Sequence, residues 1–398
     1  MGIAQLDAVI VGAGIGGMTT ALLLARAGAS VTLLERVTES TAAGAGILVQ
    51  PNGLAVLSGL GLAAALECEG HPMTRVTVRG TGRTPLVELA VPYFGAGLDH
   101  VLAVRLDLLH SILRQAVADD PVIDCRLGAT VKSATASGTV ELAWQDRVSS
   151  IEADLVVGAD GLRSTVRDAG SFGARERAGG TRSVRGLVAR HRDDVEGEQW
   201  TALGLFGNAA VDEHTCSFYA TAAAAPIAAA VTARDLAAFH SAWAWASRPA
   251  GAIVGRVSCF EDLLVTGTGR VDCDRWHDGR LVLLGDAAHA MALGQGANCA
   301  LVDAVVLTAE LAATTSVPAA LERYTRRRRG AVVRVQDRAD RIVRLSALTS
   351  PAGRRLRDLA LRAAGPVGAT RRLVGPAQQE DPAALHALTT ELTRQQPD

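Results

Sequence analysis

Asp7-Ala8-Val9-Ile10-Val11-Gly12-Ala13-Gly14-Ile15-Gly16-Gly17 is the stretch on which the fold turns. Its first five residues form an apolar, β-branched run suited to a buried parallel strand. Gly12-x-Gly14-x-x-Gly17 follows at once. Gly12 allows a tight turn, Gly14 lets a backbone approach a pyrophosphate, and Gly17 lets the next helix pack closely on the strand. Met18–Ala27 reads as that helix, Gly28 as its stop, and Ser30–Glu35 as a second strand. A helix N-terminus offers free N–H groups to phosphates. Glu35, about 20 residues beyond the glycines, is placed to accept both ribose hydroxyls. Its charge repels a 2′-phosphate, so the expected ligand is FAD or NAD, not NADP.

Outward from this βαβ unit, the 398 residues suffice for two or so domains. The formal net charge is −1, with 48% hydrophobic and 20% charged residues. That balance excludes a disordered chain, and neither nucleic acid nor a polybasic membrane-surface role has an overall electrostatic drive. Lys132 is the single lysine. The arginine excess therefore reads as a compositional habit, and Arg326–Arg329 as a solvated helix face. Cys68, Cys125, Cys216, Cys259, Cys273 and Cys299 show no metal-ligand spacing and are expected as free buried thiols. No signal peptide or membrane span stands out, which predicts a cytoplasmic protein.

Further along, Pro51-Asn52 opens a helix with Asn52 as expected N-cap, and Arg105–Ala118 reads as helical. The stretches 72–98 and 171–271 carry short β-like runs broken by Gly, Pro and charged turns. Leu281–Leu284 is a strand, a helix starts near Cys299, and helices rich in Ala, Leu and Arg follow from Val317. Residues 376–398 are polar enough to fray. The expected class is thus α/β. A discontinuous Rossmann-like nucleotide domain (1–71, 99–170, 272–345) carries a β-rich substrate domain (72–98, 171–271) and a C-terminal helical segment (346–398).

Two later segments separate FAD from NAD. Ala153–Gly158 leads into Ala159-Asp160-Gly161 and on to Arg167. Gly279–Leu284 leads into Gly285-Asp286-Ala287-Ala288-His289 and on to Gly294-Gln295-Gly296-Ala297-Asn298. Each is an apolar strand ending in Gly and Asp. A carboxylate at a strand end can accept hydrogen bonds from a polyol, and the glycines let N–H groups at the next helix start face a flavin ring. On these three motifs, in this order, the sequence resembles the single-component FAD-dependent aromatic hydroxylases, the p-hydroxybenzoate hydroxylase-like monooxygenases, from about residue 5 to 350.

The resemblance implies that Gly12, Gly14, Ile15 and Gly17 cradle the FAD pyrophosphate. Glu35, with Arg36 beside it, binds the adenosine ribose. Arg105 lies near the phosphates and ribitol, Asp160 serves structure and cofactor contact, and Asp286 binds the ribitol. Gly296, Ala297 and Asn298 face the flavin pyrimidine edge, with Gly46 of Gly44-Ala45-Gly46-Ile47 beside the ring. It further implies an NAD(P)H-using enzyme in which O₂ adds to the flavin as a C4a-hydroperoxide. That species hydroxylates a small aromatic or polycyclic substrate, secondary metabolites included, in a compact monomer or homodimer. The alternatives are an oxidase, epoxidase or cyclase with structural FAD, or a non-catalytic flavin protein. The first of these rests on one departure: Met291-Ala292-Leu293-Gly294 is about two residues shorter than in many members and lacks Pro.

No side-chain catalyst and no metal cluster stands out, since the chemistry belongs to the cofactor. His289 is expected to pack or hydrogen-bond rather than transfer protons. Trp243, Trp245 and Trp276 are expected in the core. Tyr93, Phe94, Phe206, Phe218 and Tyr219 fall in the substrate region.

Overall fold

A computed structural model describes residues 2–39, 44–80, 85–92, 94–95, 97–292, 294–364 and 379–394, leaving aside the side chains of 178, 180 and 268. Tyr93 and Leu293 lie outside the described residues. The quoted stretch does what its sequence dictates. Strand Asp7–Val11 is buried at four of five positions. It sits centrally in a six-stranded sheet of order His277–Asp278, Leu281–Leu283, Leu155–Gly158, Asp7–Val11, Ser30–Glu35, Ile123–Leu127. All neighbours are parallel except the His277–Asp278 edge. Helix Ile15–Arg26 packs against helix Gly296–Ala312, its Met18–Ala25 side chains buried.

The second large sheet has seven strands, ordered Leu264–Asp272, Arg175–Ala189, Thr215–Thr221, Gly204–Ala210, Gly197–Thr201, Arg75–Arg79, Pro85–Ala90. Its two faces alternate with the strand period of two. Val184, Val188, Phe206, Cys216, Phe218 and Ala220 turn toward a helical cap and form one core. Leu205, packed with Val78, Val87 and Trp200, turns the other way, with Tyr219 beside it.

Several sequence expectations need correction here. The 171–271 region, expected as β-rich, also carries three helices that the sequence reading did not place, Ala225–Ala233, Leu236–Ala246 and Arg248–Val254. Ala-rich runs opened by Pro226, Asp235 and Pro249 favour helix over strand. On that helix Trp243 is buried, whereas Trp245, two positions on, is 75% exposed. Asn52 is not an N-cap: Gln50 holds that place, Pro51 follows at the first helical turn, and Asn52 is buried. The helix expected from Cys299 begins at Gly296. The polar C-terminus does not simply fray. Pro382–Arg394 is a helix that buries Leu385 and Leu392 and packs on helix Pro51–Gly59. Cys68, Cys125 and Cys259 are exposed, so only three of the six free thiols are buried.

Candidate functional site

The first glycines hold the backbone where side chains would not fit. Gly12 has φ +102°, and a Cβ there would meet the Ala159 carbonyl oxygen at 2.5 Å. A Cβ on Gly17 would run into the Gly12 carbonyl. Gly14 is different, because a Cβ there would meet nothing within 4 Å. It borders a cleft of about 800 Å³ shared with Ala13, Glu35, Arg36, His110 and Arg114. The Glu35 carboxylate is fixed from behind: Ala13 N–H donates to Oε2 at 2.8 Å and Val37 N–H to Oε1 at 3.0 Å.

His110 and Arg114 escaped the sequence reading, although their i, i+4 spacing on helix Leu106–Ala118 puts them on one face. Burial lowers the His110 pKa, opposed by a hydrogen bond with the backbone at Ala13.

Helix Ile15–Arg26 starts without a side-chain cap and without an acidic residue in its first turn. Helix Gly296–Ala312 starts in the same way. Two uncapped N-termini on adjacent helices leave two sets of orphan N–H groups and two positive dipole ends. The second faces Asp286, whose Oδ1 would lie 3.2 Å from a Cβ on Gly296. Asp286 is accessible in the gap between the start of helix Gly296–Ala312 and Arg185 of the large sheet, and desolvation there raises its pKa against the pull of His289 and Arg185. The side chain of Asn298 is spent on the protein: Gln50 N–H donates to Oδ1 at 2.9 Å, and Nδ2 donates to the Leu48 carbonyl at 3.0 Å. Both polar atoms of that side chain thus already have a protein partner. Gly46 N–H donates to Ser217 Oγ at 3.0 Å, tying the glycine segment to the large sheet.

Behind the crevice lies a buried ionic knot. Asp303 Oδ2 accepts from His289 Nε2 at 2.5 Å and from Gly285 N–H at 3.1 Å, while Oδ1 accepts from Arg328 Nε at 2.7 Å. Burial alone would raise the Asp303 pKa, but His289 and Arg328 bring it down to about 2. His289 therefore hydrogen-bonds, as expected. Arg328, by contrast, is fully buried rather than part of a solvated face. Nothing in the Arg326–Arg329 run distinguished it, since its partner lies 25 residues away.

Asp160 caps the turn after its own strand. Ser164 Oγ donates to Oδ1 at 2.5 Å, and the N–H groups of Thr165 and Val166 donate to Oδ2. Burial raises its pKa in spite of those bonds. Arg105 stands apart from the Glu35 cleft. It is exposed, bonded to Asp107 by Nε and Nη2, and borders a separate surface cleft with His71, Arg190 and Asp212. Across the crevice, on the face of the large sheet away from its helical cap, Tyr219 donates to Glu198 Oε1 at 2.7 Å and Trp200 Nε1 to Oε2 at 3.0 Å. Arg185, half-buried, feels Asp286 and Tyr219, and burial lowers its pKa.

The arrangement suits a long ligand with a sugar at Glu35, a diphosphate at the first helix start and a polar ring edge at the second. The match to known proteins agrees. The family model of the FAD binding domain matches residues 5–202 and 259–339. The chain belongs to this family.

It is 30% identical over 331 residues to aurachin C monooxygenase/isomerase of Stigmatella aurantiaca, covering 80% of this chain and 84% of that one. It is 34% identical over 336 residues to 3-amino-4-hydroxybenzoate 2-monooxygenase PtnB3 of Streptomyces platensis, covering 79% and 82%. In fold it is similar to Klebsiella pneumoniae HpxO complexed with FAD and uric acid, with TM-score 0.78 at 22% identity over 94% and 96% of the two chains. The FAD-family protein is thus an FAD-dependent monooxygenase. Among the described residues no helix is long and apolar enough to cross a membrane, and no cluster could hold a metal ion.

Proposed function

We propose that this monooxygenase uses NAD(P)H and O₂ to hydroxylate a small aromatic or polycyclic compound in the crevice between Asp286 and the large sheet. One observation carries the reading: the uncapped start of helix Gly296–Ala312 faces Asp286, and Arg185 of the large sheet lies in the field of both Asp286 and Tyr219. The curated relatives act on aromatic compounds by name, a 3-amino-4-hydroxybenzoate in one case, which supports the substrate class.

Bound FAD, reduced by NAD(P)H, supplies the oxygen activation. The chain's residues do the rest. Gly12, Gly14, Ile15 and Gly17 present backbone to the diphosphate. Glu35, with Arg36 beside it, takes the adenosine ribose. Asp286 takes the ribitol, and the N–H groups of Gly296, Ala297 and Asn298 face the ring's polar edge. Gly46 backs the ring through Ser217. Asp160 holds its loop against Gly12, and Arg105 serves at most the outer margin. In this scheme the parallel-sheet layer takes the cofactor and the large sheet the substrate.

Steady-state NAD(P)H oxidation by the FAD-loaded protein tests this. A true substrate accelerates oxidation and is hydroxylated in proportion. Oxidation that no aromatic compound stimulates overturns it.

A further inference from the structure

The turn that opens at Gly12 is held from two sides. Strand Ser30–Glu35 holds one: Gly12 N–H donates to the Leu34 carbonyl at 2.8 Å, and Ala13 N–H donates to Glu35 Oε2 at 2.8 Å. The other hold comes from outside the βαβ unit. His110, on helix Leu106–Ala118, hydrogen-bonds the Ala13 backbone, and that bond favours the protonated ring. A bond of this sense is donated by the ring and accepted by the carbonyl. The Ala13 N–H is in any case already spent on Glu35.

No peptide bond here is cis, so the C=O of Ala13 and the N–H of Gly14 lie in one plane and point in opposite directions. Holding the carbonyl therefore sets the direction of the Gly14 N–H, at the residue that opens helix Ile15–Arg26. The rotation of helix Leu106–Ala118 is fixed by its buried Leu109, Leu113 and Val117. His110 and Arg114 each follow a buried leucine, so they fall on the neighbouring face. Both border the cleft that Ala13, Gly14 and Glu35 also line. His110 is half-buried there.

We propose that His110 is a positioning residue for FAD: it fixes the Ala13–Gly14 peptide for the diphosphate, and its imidazole tightens the hold on that dianion when it gains a proton. The proposal rests on the glycine turn taking the diphosphate, and adds to it a residue from another element and a response to pH. Burial lowers the His110 pKa, the Ala13 bond opposes this, Arg114 adds to the lowering and Glu35 opposes it. The cleft also holds Arg36, Glu39 and Cys125, a thiol whose pKa burial raises. Helix Ile15–Arg26, packed on the same helix, carries its one charge at Arg26, the end away from Gly14. A bound diphosphate favours the imidazolium, so FAD binding takes up a proton. Affinity rises as pH falls through the interval between the free and bound pKa values, and levels off below it.

The test is stepwise dilution of the FAD-loaded protein between about pH 5 and pH 8, with released flavin read by its fluorescence. Wild type should hold FAD about five-fold or more tightly at the acid end. His110→Leu, which has no donor, should bind FAD about ten-fold more weakly at pH 8 and lose the pH response. His110→Gln keeps a neutral donor, so it should recover most of the affinity at pH 8 and still show no pH response. The proposal is overturned if H110L holds FAD as tightly as wild type, if H110Q is no better than H110L, or if H110Q keeps the wild-type slope with pH. Those outcomes leave the flavin reading intact. A wild-type chain that takes up no FAD at any pH overturns both.

Discussion

The two ends of the proposed cofactor site are built in opposite ways. The Glu35 end is local: glycines, helix start and carboxylate all belong to one βαβ unit within residues 7–35, and Ala13 N–H reaches Glu35 across only 22 positions. The Asp286 end is assembled from afar. Asn298 bonds Leu48 and Gln50 across about 250 positions, Gly46 bonds Ser217 across 171, and Asp303 binds His289 and Arg328 from separate helices. A local site tolerates no side chain where backbone meets backbone. A dispersed one is held by buried polar contacts, each of which can fail separately.

The largest effect expected is at the local end. Gly17→Val drives a side chain into the Gly12 carbonyl, so the protein should purify without flavin or not fold at all, as read by flavin absorbance and circular dichroism. A yellow, stable G17V would break the comparison.

Next comes the ionic knot of the dispersed end. Asp303→Asn leaves Arg328 without its counter-charge in a fully buried place, and should cost about 3–5 kcal/mol in urea unfolding at neutral pH. The Asp303 pKa is about 2 in the folded protein, below its ordinary value. Its contribution is therefore present above about pH 4 and is lost as pH falls toward 2. Wild type should lose stability through that acid range, and D303N should lack this part of the loss.

Smaller effects separate the two ends by readout. Glu35→Gln keeps one acceptor oxygen but loses the charge. It should weaken FAD binding about ten-fold, roughly 1.4 kcal/mol, in titrations of apoprotein, with Tm little changed once flavin is saturating. Ser217→Ala removes only the acceptor of Gly46 N–H, at about 1 kcal/mol. It should leave FAD affinity nearly intact while lowering the yield of hydroxylated product per NAD(P)H. Similar losses in both readouts for both variants would erase the distinction.

The same contrast explains what was legible in the sequence. The Gly12–Gly17 turn, Glu35 and the strand-then-Asp segments at 160 and 286 are short-range patterns, visible as spacing. Arg328 and Asp303 carry no pattern, because charge compensation across 25 residues leaves no periodic trace. The helical cap at 225–254 was hidden by its β-like flanks, and its hydrophobic residues serve a face of the sheet that composition cannot reveal.

Oxygen transfer to an aromatic ring, in the crevice between Asp286 and the large sheet, is the reaction proposed for this protein. The most direct measurement is ¹⁸O₂ labelling during NAD(P)H turnover of the FAD-loaded protein with an aromatic compound that stimulates it. One ¹⁸O atom is expected in the product. Hydrogen peroxide as the sole fate of the oxygen, with the ring unlabelled, would contradict it.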